Sequence, residues 1–401
     1  MNVGFTGAYC TANFGDYAIL INNIFDINAD NNIIFTYSGS FPHLALKYYC
    51  SEKKYITKEV CLKNREYKSK NLTPFECIDS VDNLDEIIML IEKLDVLCVS
   101  GGGYFDDNWC GRTEKFIKMV VPILIAERLN KKIVFMAQGI GPIVETKEIM
   151  RYFFRYLKNP VIAVRDDYCS ESFLKEVGVA EKNIHHLPDD LLFINQAFTE
   201  EKEMLVTKPY VVIVLHDSVE YIKNHTDIFV KFSNEMKALY GVSIVLLPFD
   251  LVWYGCEQSE YLSENIADCT FVDIRKDGFP TIEDVYSYIK NASLVVTGRY
   301  HASVVALQTK TPVIVKLKDI EGSIDYSYNK VYGILQKVFS GISFDENQFM
   351  SISWEDIFSK IIEKYYEIIE HQKKLLNDKI VHKNMQNMQK ERQHYISENF
   401  N

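Results

Sequence analysis

The strongest constraint on this chain is a set of short apolar runs that lack polar alternation. A first series occupies residues 2–5, 33–36, 96–99, 132–136 and 161–164, and a second occupies 210–215, 243–247, 270–272, 294–296 and 313–315. A strand with one wet face alternates polar and apolar residues. An unbroken Val/Ile/Leu/Phe run instead predicts a strand buried on both faces, in a parallel sheet covered by helices. The intervening segments fit that role: 112–129 and 227–240 carry apolar residues at three- and four-residue spacing. The expected class is α/β, built as two Rossmann-like doubly wound domains.

The first series ends near Phe193, and the acidic stretch 195–208, with Glu200, Glu201 and Glu203, reads as a linker. The expected domains are therefore 1–195 and 208–345. A helix is expected over 352–395, with Ile357, Phe358, Ile361, Ile362, Tyr365, Ile368 and Ile369 on one face. It reads as packing back on the domain pair. Its polar part from Lys383 onward is expected to fray, the alternative being a peripheral contact with a membrane surface or another subunit. The lysine-rich residues 52–72 read as a surface insertion holding at most a partial strand at 55–60.

Composition removes several function classes. The 401 residues carry a net charge of -11, which disfavours nucleic acid as a partner. No apolar run approaches the roughly 20 residues of a membrane-spanning helix, and the first residues do not read as a signal peptide. The nine scattered cysteines form no C-x-x-C pair. That pattern predicts neither structural metal nor a disulfide framework, and fits a reducing cytoplasm. There is no phosphate-binding P-loop, no H-E-x-x-H and no G-x-S-x-G.

What remains is a series of strand-end turns. Gly4-x-x-Gly7 leads to Asn13-Phe14-Gly15-Asp16 at the start of an apolar helix, where free N–H groups favour an anion. Asp16 also reads as a plain helix cap. Ser100 followed by Gly101, Gly102 and Gly103 ends another strand, and such a turn suits backbone that passes close to a ligand. Asp106, just beyond, could orient hydroxyls. Gln138-Gly139-Ile140-Gly141-Pro142 repeats the logic at the next strand end. Arg165-Asp166-Asp167 offers a guanidinium for a carboxylate or phosphate, unless its neighbouring aspartates claim it.

In the second half, Thr297-Gly298-Arg299-Tyr300-His301 releases an arginine and, two residues later, a histidine at a helix start. This combines an anion clamp with a group that titrates near neutral pH. His216, at the end of residues 210–215, is expected to face the same region. His185 and His186 point to opposite faces of a strand and make a poor joint site.

Taken in order, Asn13-Phe14-Gly15-Asp16, Gly101–Gly103, Gln138–Pro142, Arg165-Asp166 and Arg299-Tyr300-His301 resemble the polysaccharide pyruvyl transferase family over residues 1–335. Two differences from the family pattern are the intervening residues 8–12 and Tyr300 in place of the usual leucine. The resemblance implies a GT-B-like arrangement of the two domains with the active site in the cleft between them. It implies transfer of pyruvate from phosphoenolpyruvate onto hydroxyls of a sugar, as a ketal, in a cell-surface polysaccharide or its lipid-linked precursor.

In that reading His301 is the catalytic group and no cofactor or metal is needed. Arg165, Arg299, Tyr300 and Gly101–Gly103 bind the donor. Asn13, Asp16, Asp106, Gln138 and His216 bind the acceptor or line the cleft. The expected location is the cytoplasm, up to the inner face of the membrane. Two other readings share the fold. One is a GT-B-type glycosyltransferase using a nucleotide sugar, with Glu321 on the ribose. The other is a non-catalytic sugar- or nucleotide-binding protein.

Overall fold

The computed structural model describes residues 1–9, 13–37, 42–63, 72–200, 206, 209–251, 254–276, 278–319 and 323–400. Glu321 and residues 64–71 of the expected insertion lie outside the described residues. The chain forms two compact units. One comprises Met1–Thr11, Asp16–Asp190 and Asn387–Asn401; the other comprises Ala12–Gly15 and Leu191–Gln386.

The first unit holds β1 (Asn2–Thr6), β2 (Asn31–Thr36), β3 (Tyr55–Glu59), β4 (Val96–Val99), β5 (Gly102–Phe105), β6 (Lys132–Ile140), β7 (Val161–Val164) and β8 (Ile184–His186). They form one sheet in the order β3-β2-β1-β4-β6-β7-β8, with β5 beside β6. The second unit holds β9 (Tyr210–Val214), β10 (Ser243–Leu246), β11 (Cys269–Phe271), β12 (Leu294–Thr297), β13 (Val313–Lys316) and β14 (Met350–Ser351), ordered β11-β10-β9-β12-β13-β14. Every strand pair in both sheets is parallel.

The apolar runs therefore became what their composition predicts: β4, β9 and β12 are buried along their whole length. Apart from β5, which lies beside β6, the strands without such runs are at sheet edges. Residues 55–59 form an edge strand of the first sheet, so the first part of the expected insertion is part of the fold. In each sheet the strand order runs one way from the first strand and the other way from its neighbour. This creates a switch point, between β1 and β4 in the first sheet and between β9 and β12 in the second.

The expected single helix over 352–395 is two helices, Trp354–Leu376 and Lys379–Phe400. Asn377 and Asp378 explain the break. The Asn377 side chain donates back to Lys373 O at 2.8 Å, and Asp378 Oδ1 accepts the Ile380 N–H at 2.7 Å, starting the next helix. Short polar side chains compete for backbone groups in this way. The first of the two helices packs on the second unit, with Phe358 stacked on Phe232 at 4.1 Å between ring centroids.

The last helix also departs from the expectation that its polar end frays. Met388, Arg392, Tyr395, Ile396 and Phe400 are buried in the first unit. Their three- and four-residue spacing places them on one face. Arg392, only 3% exposed, donates through Nη2 to Asn23 Oδ1 at 2.8 Å and pairs with Asp26 and Asp190. Tyr395 donates to Phe135 O at 2.8 Å. A sequence that looks like a solvated face thus carries a buried cation already matched to carboxylates. Among the described residues no helix is long and apolar enough to cross a membrane.

Candidate functional site

The second unit gathers cationic and imidazole side chains at its switch point. His216 lies just past β9, Arg299 and His301 just past β12, and Lys318 just past β13. Gly298 lets the two central strand ends approach. A Cβ there would stand 2.9 Å from His216 Cβ and 3.3 Å from His216 N. The ends are held by Gly298 N donating to Val214 O at 2.8 Å.

Arg299 precedes the helix Tyr300–Gln308. Its N–H donates to Thr297 Oγ1 at 2.8 Å, and Thr297 Oγ1 donates to Arg299 O at 3.0 Å, so the turn is locked. The Arg299 side chain is nearly buried and its Nη2 donates to Asp250, which is fully buried.

Residues Asn13–Gly15 belong here and not to the first unit. Asn13 forms an antiparallel bridge with Asp250, Phe14 N donates to Phe249 O at 2.7 Å, and the Phe14 and Phe249 rings meet at 4.7 Å. Gly15 is required by His301: a Cβ at this position would fall 1.9 Å from His301 Nδ1. Only a residue without a side chain admits the imidazole against this backbone. Tyr300 sets its ring edge-on to His301, with centroids 5.1 Å apart. Sequence reading placed the Asn-x-Gly-Asp turn with the first domain because it follows β1. The structure divides it, with Asp16 in the first unit and Asn13–Gly15 in the second.

The hydrogen bonds of His216 assign its tautomer. Nδ1 is 3.1 Å from Gly298 O, a carbonyl that only accepts, so Nδ1 carries the proton. Nε2 is then a bare acceptor, 3.3 Å from the Lys318 ammonium. Burial first, then the charges of Arg299 and Lys318, push the His216 pKa well below its usual value, so the ring stays neutral. Burial, followed by Arg299, also lowers the Lys318 pKa.

Lys316 forms an ion pair with Asp217 at 2.5 Å, and the other oxygen of Asp217 accepts Trp354 Nε1–H at 2.8 Å. Neither lysine was singled out from sequence. The available signal was the Lys316-Leu317-Lys318 alternation directly after the apolar run 313–315, which sends two ammonium groups to one face.

The first unit treats its sequence-predicted residues differently. Gln138 is completely buried and donates to Val99 O at 3.2 Å and Ser100 O at 2.7 Å, so it ties strand ends together and lines no open surface. Asp106 is a helix cap, accepting Trp109 N–H at 2.8 Å, and is likewise buried. The space beside Gly101 is taken by Asp190, whose Oδ2 would lie 2.0 Å from an added Cβ.

Arg165 is 3% exposed, and its Nη1 donates to Asp189 Oδ2 at 2.8 Å. Asp166, its neighbour in sequence, instead caps the helix Ser170–Glu176, accepting from Cys169 N at 2.9 Å and Ser170 N at 3.1 Å. His186 pairs with Asp167 and Glu171 while the His185 ring faces Tyr395, so the two histidines are separated as expected.

Comparison with known proteins follows the geometry. A search of curated proteins finds no match. Among solved structures, the S. aureus MnaA–UDP co-structure matches at 11% identity and a TM-score of 0.55, covering 96% of this chain and 90% of that one. Anabaena HepE in complex with UDP and glucose matches at 11% identity and a TM-score of 0.54, covering 97% and 98%. UDP-GlcNAc 2-epimerase from Methanocaldococcus jannaschii matches at 14% identity and a TM-score of 0.52, covering 90% and 99%. At such identities the likeness shows a shared α/β, two-domain, GT-B-like fold alone. The family model for polysaccharide pyruvyl transferase matches residues 13–316, beginning at the asparagine that bridges to Asp250 and ending at Lys316. The chain belongs to the polysaccharide pyruvyl transferase family.

Proposed function

We propose that the protein transfers pyruvate from phosphoenolpyruvate to two hydroxyls of a sugar, forming a ketal and releasing phosphate. The observation that carries this reading is the grouping of Arg299 and His301 at one switch point, on a chain of this family. The donor has two anionic ends and a nucleophilic enol carbon. Arg299 supplies a guanidinium to the anion. His301 delivers a proton to the enol methylene carbon, and the cation that results is captured by one sugar hydroxyl. The bond from carbon to the phosphate oxygen breaks and phosphate leaves with the electron pair. The second hydroxyl then closes the ketal; of the two hydroxyl protons released, one returns to His301 and the other leaves on the phosphate. Each proton transfer of this type is worth about 10²–10⁴-fold in rate.

Arg165 has a supporting part in this scheme. Its buried pair with Asp189 holds the strand-end turn that contains Gln138. The acceptor is a cell-surface polysaccharide or its lipid-linked precursor, and the reaction takes place in the cytoplasm, up to the inner face of the membrane.

The experiment is a turnover assay with phosphoenolpyruvate and glycans bearing paired hydroxyls. Expected is phosphate release that depends on the acceptor, together with a product heavier by pyruvate less one water. Sugar transfer from a UDP-sugar, with no consumption of phosphoenolpyruvate, would replace this reading by the glycosyltransferase one.

A further inference from the structure

Around the ends of β9, β10, β12 and β13, Arg299, Lys316 and Lys318 stand near Asp217 and Asp250. Arg299 is matched to Asp250, and Lys316 to Asp217. Lys318 has no carboxylate within ion-pair distance among the described residues. A half-buried ammonium without a carboxylate in direct contact is costly, and burial lowers its pKa, opposed only through space by Asp217 and Asp250. On a chain with a net charge of -11, such a cation calls for an explanation. Its neighbour supplies one. His216 has its Nδ1–H committed to Gly298 O, so it can only accept from Lys318. One ammonium N–H is directed to His216 Nε2, and two N–H groups are left for another acceptor.

We infer that Lys318 is a phosphate-binding residue of the donor site, with neutral His216 as the positioning residue that orients it beside Arg299. The inference deepens the pyruvyl-transfer reading and rests on it only for the donor's identity, because any phosphate-bearing donor presents the same chemistry. A phosphate dianion would give Lys318 the contacting anion that it lacks among the described residues. The start of the helix Tyr300–Gln308 at the same strand end adds backbone N–H groups of the same sign. The carboxylate of the donor has less claim on Lys318, since a compact ammonium favours the more highly charged end.

The test uses the full-length protein and calorimetry with inorganic phosphate, phosphoenolpyruvate, pyruvate and UDP. Lys318→Met should weaken phosphate and phosphoenolpyruvate by a common factor of about 10- to 100-fold, as for hydrogen bonds between charged groups. Pyruvate affinity and the ligand-free melting temperature should stay unchanged. His216→Ala should raise the KM for phosphoenolpyruvate with a smaller change in kcat. His216→Gln, whose amide oxygen can accept from Lys318, should recover most of the loss; a merely structural histidine would show no such rescue.

Phosphate affinity unaltered in Lys318→Met, or absent in the wild type, overturns the inference. If phosphate and UDP bind through Lys318 while phosphoenolpyruvate is never turned over, the phosphate site stands and the pyruvyl-transfer reading falls.

Discussion

The two switch points share a strand order but differ in charge balance. In the first unit, Arg165 is matched by Asp189, and Arg392 by Asp190 and Asp26, so cations are fully covered by carboxylates. In the second unit, Arg299, Lys316 and Lys318 face Asp250 and Asp217, and His216 is held neutral. Each cation of the first set has a carboxylate partner; in the second, Lys318 has no carboxylate in ion-pair contact among the described residues. Identical topology thus carries two different charge patterns, and fold alone does not say what either does.

The largest expected effect is on the chemistry of the second unit. His301→Ala should lower turnover by about 10²–10⁴-fold with an unchanged melting temperature. Wild-type turnover in a normally folded variant would remove His301 from the mechanism.

The corresponding break in the first unit is thermodynamic. Arg392→Met leaves buried Asp190 and half-buried Asp26 without their cation, which should cost about 3–5 kcal/mol of stability. Denaturant titration measures this directly. An unaltered midpoint would show that the last helix contributes no anchoring.

A paired substitution sharpens the contrast. Arg299→Lys should weaken phosphoenolpyruvate binding by about 1–3 kcal/mol, because an ammonium cannot reproduce the guanidinium fork. Arg165→Lys should lower the melting temperature and leave that affinity close to wild type. If the two variants exchange phenotypes, the support and the binding site have been assigned to the wrong units.

The smallest effect is a drift with pH. Burial, opposed by Arg392, raises the Asp190 pKa from 3.8 to about 6. The folded state therefore holds this proton more tightly than the unfolded chain does. The resulting stabilisation is full below 3.8 and is lost as the pH rises through about 6. Asp190→Asn cannot titrate, so its melting temperature relative to wild type should climb across that window. A constant difference would show that Asp190 keeps an ordinary pKa.

The central strands were legible because burial on both faces leaves a one-dimensional mark, as in residues 96–99 and 210–214. The edge strands were less so: β11 was legible at 270–272 and β3 only as a partial strand at 55–60, while β8 and β14 carried no such mark. β8 ends in two exposed histidines and β3 is mostly polar, since an edge needs less apolar surface. The last helix misled for a related reason. Arg392 reads as solvated until Asp26 and Asp190, distant in sequence, are brought around it.

The motifs behave similarly. By itself the sequence determined the α/β class and the strand-end location of Arg299 and His301. These follow from local pattern; the reason for glycine at 15 and 298 appeared only when His301 and His216 were brought against them. Only the tertiary structure decided which carboxylate each arginine meets, that Asn13–Gly15 joins the second unit, and that Lys318 has no carboxylate in ion-pair contact among the described residues. Those outcomes depend on charges many residues apart meeting in a low-dielectric interior. Their pairing there sets both protonation and exposure, and nothing in the linear order of the chain records it.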